Sequence, residues 1–598
     1  MRVFGQGLTW QNPAKSAHFS PVHLYLRKRL TESEGVADTT SPWKELRSAA
    51  ATRPAGGYDG RQSFLRSPRW PAFPRGLELG SARMKKLPIG IQNFDEIATG
   101  DYIYVDKTEY LHKLLVEGKA YFLSRPRRFG KSLLISTLEN LFLGRKELFE
   151  GLWIRDRWEF EKHPVVRIDL VAVDRKNAAV LEQGLLEKVR EIGTRYGVKV
   201  EGKHIAGAFY ELIRKLSAHG RVVVLIDEYD KPIIDFVTRP EIAKENREVL
   251  KNFYGILKAA DEYLKFVLLT GVSKFTRTSI FSDLNNLYDV TMDKAFSNML
   301  GYTEEEVDAY FEGHMEEVAK DLGEDTNFVR EKMKHWYSGY RFSERDEKVY
   351  NPFSVLNFLK HKRFDNYWFQ SGTPTFLVEL MRERNYDVSH LETLIMTSDM
   401  FSKFDVERIE VEPLLFQTGY LTITGAFQRA GRWFYELGYP NAEVEESLLN
   451  CLLDGYTGGE WDRQQKFVLE MSDLLNAGQM DEFLERLKVL WSGVPYEIVI
   501  NKEDYYNSLM YMSLKMIGLE GAFEVMTNRG RLDCALELKD RVYIFEFKID
   551  EAPQKCIEQI RERGYHEKYR DRGKPIELVG VTYSSEEKNI TGWTVERA

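Results

Sequence analysis

Short apolar runs, each closed by a polar turn and followed by a segment of helical period, recur through residues 100–272. Tyr121-Phe122-Leu123 is one such run, and His163–Val173 (HPVVRIDLVAV), Val222–Ile226 (VVVLI) and Tyr263–Val272 (YLKFVLLTGV) are others. Runs without alternation suit strands buried on both faces, as in a parallel sheet. Between them, Leu133, Leu134, Ile135, Leu138, Leu141 and Phe142 recur at helical spacing, as do Leu181, Leu185, Leu186 and Val189, and Phe209–Leu216 reads as another helix. Asp101–Thr108 (DYIYVDKT) alternates and predicts one more strand. The pattern predicts an α/β fold, a parallel sheet with helices on both faces.

Two of these strands end in reactive sequences. After Leu123 the chain cannot easily continue as a strand, because Pro126 lies among Arg125, Arg127 and Arg128 before Phe129. Gly130-Lys131-Ser132 then opens the helix. Strand, loop, GKS and helix form the context of a Walker A phosphate loop, although Arg125 stands where the first Gly belongs. In that reading the backbone of Arg127, Arg128, Phe129 and Gly130 cradles phosphates, Lys131 neutralises charge and Ser132 ligates Mg2+. The run Val222–Asp230 (VVVLIDEYD) reads as Walker B. Asp227 would then hold Mg2+ through water, and Glu228 would act as general base. The next strand, ending in Thr270-Gly271, resembles the sensor-1 strand of AAA-type ATPases, which implies that Thr270 or Ser273 contacts the γ-phosphate region, and Lys274 or Arg277 in the polar loop up to Leu287 could serve a neighbouring subunit.

Further on, Thr303 with Glu306 predicts a capped helix, and helical patterning continues from Phe328 to Trp336. Pro352 and Pro374 stand near helix starts, and the surrounding aromatic residues read as packed core rather than base-stacking surface. PLLFQTGYLTITG and GRWFYELGYPNAEV predict helix, strand, turn, strand and helix, a winged-helix-like unit that either binds DNA or packs as a lid. Helices through Gln464–Leu490 follow. Near the end come a helix Glu503–Met516, strands Phe523–Thr527, Leu532–Leu536 and Val542–Lys548, a helix Ala552–Arg563 and a final strand Leu578–Thr582. Asp533 followed by Glu546-x-Lys548 is the PD-(D/E)xK pattern of metal-dependent nucleases. Asp533 and Glu546 would share Mg2+ or Mn2+, and Lys548 would orient or deprotonate water. Glu546 and Lys548 fall on one side of an otherwise apolar strand, where charge is costly unless paired or metal-bound.

Composition narrows the class without choosing within it. The chain has 598 residues, 43% hydrophobic and 13% aromatic, enough for several packed domains. A formal net charge of -8 gives no overall nucleic-acid signal, three cysteines exclude a disulfide framework, and no apolar run reaches membrane length. The expectation is a cytoplasmic protein of a reducing compartment with no membrane partner. Residues 1–83 lack period and carry scattered Arg, Pro, Ser and Gly, so they read as disordered, with Met84 expected as the true start.

LPIGIQNFDEI, YIYVDKT, RPRRFGKSLL, VVVLIDEYD and LLTGVSKFTRTSIFSDLNNL, in this order, resemble the bacterial and archaeal AAA-ATPase-like family. WYSGYRFS, VYNPFSVLNFL and YWFQSGTPTFLVELM extend the resemblance. It implies ATP as ligand, PRRFGKS as the usual phosphate loop, and a C-terminal restriction-endonuclease-like domain. Glu503 matches that superfamily's additional acidic position, and Gln559 and Tyr565 resemble its helical Gln/Tyr pair at wider spacing. The expected organisation is an extension over 1–83, an ATPase domain over 84–295, a helical aromatic-rich domain over 296–400, a winged-helix-like region with linker helices over 401–485, and a nuclease-like domain over 486–598. Nucleic acid is the implied partner, DNA ahead of RNA, and self-association is compatible with such cores. The implied function is ATP binding and hydrolysis coupled to nucleic-acid cleavage. The alternative is a nucleotide switch whose nuclease-like domain binds nucleic acid or a protein partner without cutting.

Overall fold

The computed structural model describes residues 84–274, 284, 286–369, 375–384, 386–392, 394–402, 404–405, 408–457, 465–492, 503–517, 521–527 and 530–598. The first apolar runs form strands β1 (Ala120–Ser124), β2 (Val165–Asp169), β3 (Val222–Asp227) and β4 (Leu264–Gly271), joined by a short β5 (Tyr288–Asp289). Their order is β2-β3-β4-β1-β5, and all pairs are parallel. Every residue of β3 is buried, which is why its sequence shows no alternation. Because β4 lies between β1 and β3, Thr270 at the end of β4 separates the loop after β1 from Asp227 at the end of β3.

Two predicted strands differ. Asp101–Thr108 forms only the isolated bridge Lys86–Tyr102, because Asp106 turns the chain. Its carboxylate accepts from Thr108 N (2.9 Å), Thr108 Oγ1 (2.6 Å) and Trp153 N (2.6 Å), and the helix Thr108–Glu117 begins there. The run His163–Val173 is strand only through Asp169. That side chain then accepts from Val171 N at 2.8 Å and caps a short 3-10 turn, Leu170–Ala172.

In the middle region Thr303 and Glu306 form the predicted capping box of helix Glu304–Leu322. Helix Thr326–Tyr337 follows, and helix Pro352–His361 carries Pro352 in its first turn and Asn351 as cap. Tyr337, Phe358, Phe364 and Tyr367 pack on one another as core. Pro374 lies outside the described residues. After β6 (Ile395–Thr397) and a two-residue ladder of β7 (Phe404–Asp405) with β8 (Arg408–Ile409), helix Val411–Thr418 ends at Gly419, whose φ is 90°. The hairpin β9 (Thr422–Arg429) and β10 (Arg432–Gly438) pairs with β6 in the order β6-β10-β9, and helix Ala442–Thr457 succeeds it.

The C-terminal sheet runs β11 (Gly521–Thr527), β12 (Gly530–Glu537), β13 (Val542–Ile549), β14 (Ile576–Ser584) and β15 (Asn589–Arg597), adjacent in chain order. Only β13 and β14 are parallel, bridged by helix Pro553–Arg563. Leu578–Thr582 is therefore not the last strand. The half-exposed edge strand β15 mixes Asn, Thr, Gly and Trp and shows no apolar run. Among the described residues no helix is long and apolar enough to cross a membrane.

Candidate active sites

At the end of β1, Gly130 adopts φ 92°, a left-handed conformation that glycine takes without strain, and the helix Lys131–Phe142 starts at the next residue. Lys131 is buried and aims back along the loop. Its Nζ donates to Arg125 O at 3.0 Å and Pro126 O at 3.1 Å and lies 3.7 Å from Glu228 Oε1. Ser132 follows on the first helical turn, half-buried. Across the sheet, Thr270 Oγ1 donates to Asp227 Oδ1 at 2.6 Å, and Asp227 is buried. Glu228 holds φ 50°, rare for a residue with a side chain, and its N–H reaches Asp227 Oδ1 at 3.1 Å. The structure thus brings Lys131, Asp227, Glu228 and Thr270 together at the carboxyl ends of parallel strands, where open α/β sheets place ligands.

The other loop side chains turn elsewhere. Arg125 is fully buried and caged by carbonyls: Nη1 donates to Ser124 O (2.9 Å) and Thr291 O (2.6 Å), and Nη2 to Phe296 O (3.2 Å). Its guanidinium also lies over the Phe342 ring at 4.1 Å, and burial pulls its pKa down to about 9. The residue in place of the first glycine is therefore a tether of the loop, its guanidinium held by the carbonyls of Ser124, Thr291 and Phe296. Phe129 packs edge-on against Tyr340 and Phe342, Arg128 lies 4.7 Å over Phe353, and Arg127 is exposed.

Three contributors escaped the sequence reading. Asp169 stands beside Asp227 in strand register, and burial raises its pKa, with the Asp227 and Glu228 charges adding to the effect. Asp230, fully buried, accepts from Val272 N (3.1 Å), Ser273 N (2.6 Å) and Ser273 Oγ (2.7 Å), which fixes the turn after β4. Burial, with the Glu228 charge, pushes it up to about 6. Ser273 is thus engaged with Asp230, leaving Thr270 as the hydroxyl at Asp227. Trp368 donates from Nε1 to Arg127 O at 3.1 Å and from its backbone N to Glu443 Oε1 at 2.7 Å. No local signal marks that tryptophan, because its partner lies 241 residues away. Lys274 is paired with Asp289 at 2.6 Å, and Arg277 lies outside the described residues.

The second site sits on β12 and β13. Their printed register ends at Cys534 opposite Phe545, and one further step sets Asp533 opposite Glu546. Asp533 Oδ2 accepts from Phe547 N at 2.8 Å and so ties its strand to β13 by its side chain. Glu546 is buried, with Lys548 Nζ 3.5 Å from its Oε1. Gln559, on the crossover helix, donates to the same Oε1, and Tyr565 is hydrogen-bonded to Gln559, so the wide Gln–Tyr spacing still brings both to the carboxylate. Burial raises the Tyr565 pKa, with the Glu546 charge adding. Glu503 begins the helix Glu503–Met516, and its side chain lies outside the described residues. Among the described residues no group of three or more His, Cys, Asp and Glu gathers as a metal cage. Two carboxylates beside strand carbonyls still form an oxygen donor set that suits a hard divalent ion completed by water.

A parallel sheet with a GKS loop and an acidic strand end, followed by a mixed sheet with a D…ExK set, defines a class, and the comparisons agree with it. Residues 88–281 match the family described as predicted AAA-ATPase, and residues 501–593 match the PD-(D/E)XK nuclease superfamily. The chain is 41% identical over 524 residues to "Uncharacterized protein in vnfD 5'region" of Azotobacter chroococcum mcd 1, covering 86% of this chain and 99% of that relative. The chain belongs to this family of predicted AAA-ATPases with a C-terminal PD-(D/E)XK nuclease superfamily domain.

Proposed function

We propose that the chain hydrolyses ATP at the first sheet and uses that cycle to control metal-dependent cleavage of nucleic acid, DNA before RNA, at the second, in the cytoplasm. The observation that carries the reading is the convergence of Lys131 with Glu228, and of Thr270 with Asp227, at adjacent strand ends. The backbone N–H groups from Arg127 to Ser132 would receive the phosphates at the helix N-terminus. Lys131 would exchange the carbonyls of Arg125 and Pro126 for β and γ oxygens. Ser132 and Asp227 would hold Mg2+, which offsets phosphate charge. Glu228 would orient the attacking water and accept its proton, while Thr270 holds Asp227 in one rotamer.

At the second site Asp533 and Glu546, with Glu503 as a further acid, would hold Mg2+ or Mn2+. That ion supplies Lewis-acid stabilisation and a more acidic bound water. Lys548 would orient or deprotonate the water, and Gln559 would keep the Glu546 carboxylate aimed.

Paired variants test this. Lys131→Ala is expected to abolish ATP turnover and to change cleavage of single- and double-stranded DNA and RNA. Asp533→Ala is expected to abolish cleavage and leave ATP turnover intact. ATP turnover without any Mg2+- or Mn2+-dependent cleavage by the wild type would replace the nuclease reading with that of a switch.

A further inference from the structure

The hairpin β9–β10 closes through Ala430 and Gly431, both at positive φ (50° and 75°), a two-residue turn that fixes its register. Its two faces differ in a way stability does not explain. Tyr435 is buried against Phe401 and Trp433 lies beside it, so this face is turned inward. The opposite face should be polar by period-2 alternation. Instead it carries Arg429 directly opposite Arg432, then Phe427 directly opposite Phe434, with Glu436 the next position on β10 and Ile395 facing it from β6.

The Phe427 and Phe434 rings stack with centroids 5.5 Å apart and planes 10° apart, yet Phe427 remains 37% exposed and Ile395 54% exposed. Like charges set directly across a strand pair destabilise it. Among the described residues neither guanidinium is matched with a carboxylate, and the acid on this face, Glu436, sits two pairs away along the hairpin. A paired cation tip above an exposed, already stacked aromatic platform is the chemistry that holds a flexible polyanion with planar bases.

We infer that the outward face of this hairpin binds single-stranded nucleic acid, with phosphates on Arg429 and Arg432 and a base on Phe427. The inference rests on the reading that the chain acts on nucleic acid and names the surface that captures the strand. The twisted, narrow ribbon offers stacking rather than base-edge recognition, so binding is sequence-tolerant and falls with salt.

The test uses full-length Asp533→Ala, expected to bind without cutting, and fluorescein-labelled oligonucleotides of 20 nucleotides, DNA and RNA, single- and double-stranded, titrated by anisotropy over a salt series. Against that background, Arg429→Gln with Arg432→Gln is expected to weaken single-strand binding at least tenfold and to lower the slope of log K against log salt by about 1.4, the loss of two single-strand phosphate contacts. Phe427→Ala is expected to weaken single-strand binding several-fold with the slope unchanged. Thermal melting at or above the parent's value shows that the hairpin variants are folded. Unchanged affinity and slope in folded variants overturn the assignment, as does a duplex preference untouched by Phe427→Ala. Cleavage by the wild type is scored separately, so a lost hairpin site and a lost nuclease reading give different results.

Discussion

Glu443 is a buried acid whose pKa the fold raises, and replacing it with glutamine should make the protein more stable at alkaline pH. Its Oε1 accepts from Trp368 N and its Oε2 from Ser354 Oγ, each at 2.7 Å, and no cation is paired with it among the described ion pairs. Burial, with the Asp365 charge adding to it against these hydrogen bonds, raises its pKa from 4.5 to about 7. At about 1.36 kcal/mol per unit, that difference is on the order of 3 kcal/mol. Below pH 4.5 the group is protonated in folded and unfolded chains alike, and its favourable contribution is fully present. As pH rises from 4.5 to about 7 only the unfolded chain ionises, so stability falls, and above about 7 the loss is complete. In Glu443→Gln the amide oxygen still accepts from Trp368 N, and the Ser354 hydroxyl can rotate to accept from the new NH2. Urea unfolding of the full chain at pH 5, 6, 7 and 8 should show the variant within about 1 kcal/mol of wild type at pH 5 and exceeding it by about 3 kcal/mol at pH 8. A gap that stays constant with pH, or a variant weaker at pH 8, would show that the carboxylate is ionised in the fold.

Two tethers should prove structural rather than chemical. Arg125→Met removes a cation from the carbonyls of Ser124, Thr291 and Phe296 and should destabilise the chain by about 2–4 kcal/mol in urea unfolding, since buried acceptors lose charged donors. A variant as stable as wild type would show that water replaces the guanidinium. Lys107 donates to Asn298 O at 2.8 Å and Glu306 Oε2 at 2.6 Å. Lys107→Met should lower the melting temperature while sparing the capping box, because Thr303 N reaches Glu306 Oε2 independently at 2.8 Å, and loss of helix signal beyond that of wild type would contradict this.

The elements that the sequence predicts well are those whose cause is local. The apolar run of β3 and the cap at Thr303 depend on neighbours within a strand or a turn, and the D…ExK set on two strands adjacent in sequence. What stayed hidden depends on partners far along the chain. Asp106 looks like the end of an alternating strand until Trp153 is brought to it, and Arg125 looks like a defect in a glycine-rich loop until Thr291 and Phe296 surround it. Alternation reports which faces a segment presents, but not whether a ladder partner exists. The same limit made β15 invisible: an edge strand buries too little to leave an apolar signature.

The middle region explains how two sites so far apart in sequence share one body. Trp368 joins the loop after β1, at Arg127 O, to Glu443, and Glu443 stands at the start of helix Ala442–Thr457. Along that same helix, Glu445 meets Lys515 at 2.8 Å, and Lys515 also meets Glu392 at 2.8 Å, to which Tyr511 donates at 3.1 Å. Tyr505 adds a bond to Tyr456 O at 3.3 Å, and Ser508 accepts from Val388 N at 3.0 Å. Lys515, Tyr511, Ser508 and Tyr505 all belong to helix Glu503–Met516, the element that opens the second site's domain. One helix therefore holds, through Trp368, the backbone of the loop after β1 at its start and the first helix of the nuclease-like module along its length. Packed helices shift as units rather than deforming residue by residue, so a displacement of Arg127 that moves Trp368 has a rigid body to act on. That arrangement is why the proposed control of cleavage by the nucleotide site needs no contact between Lys131 and Glu546, and why it should be read in the Lys131→Ala cleavage assay rather than in the geometry of either site alone.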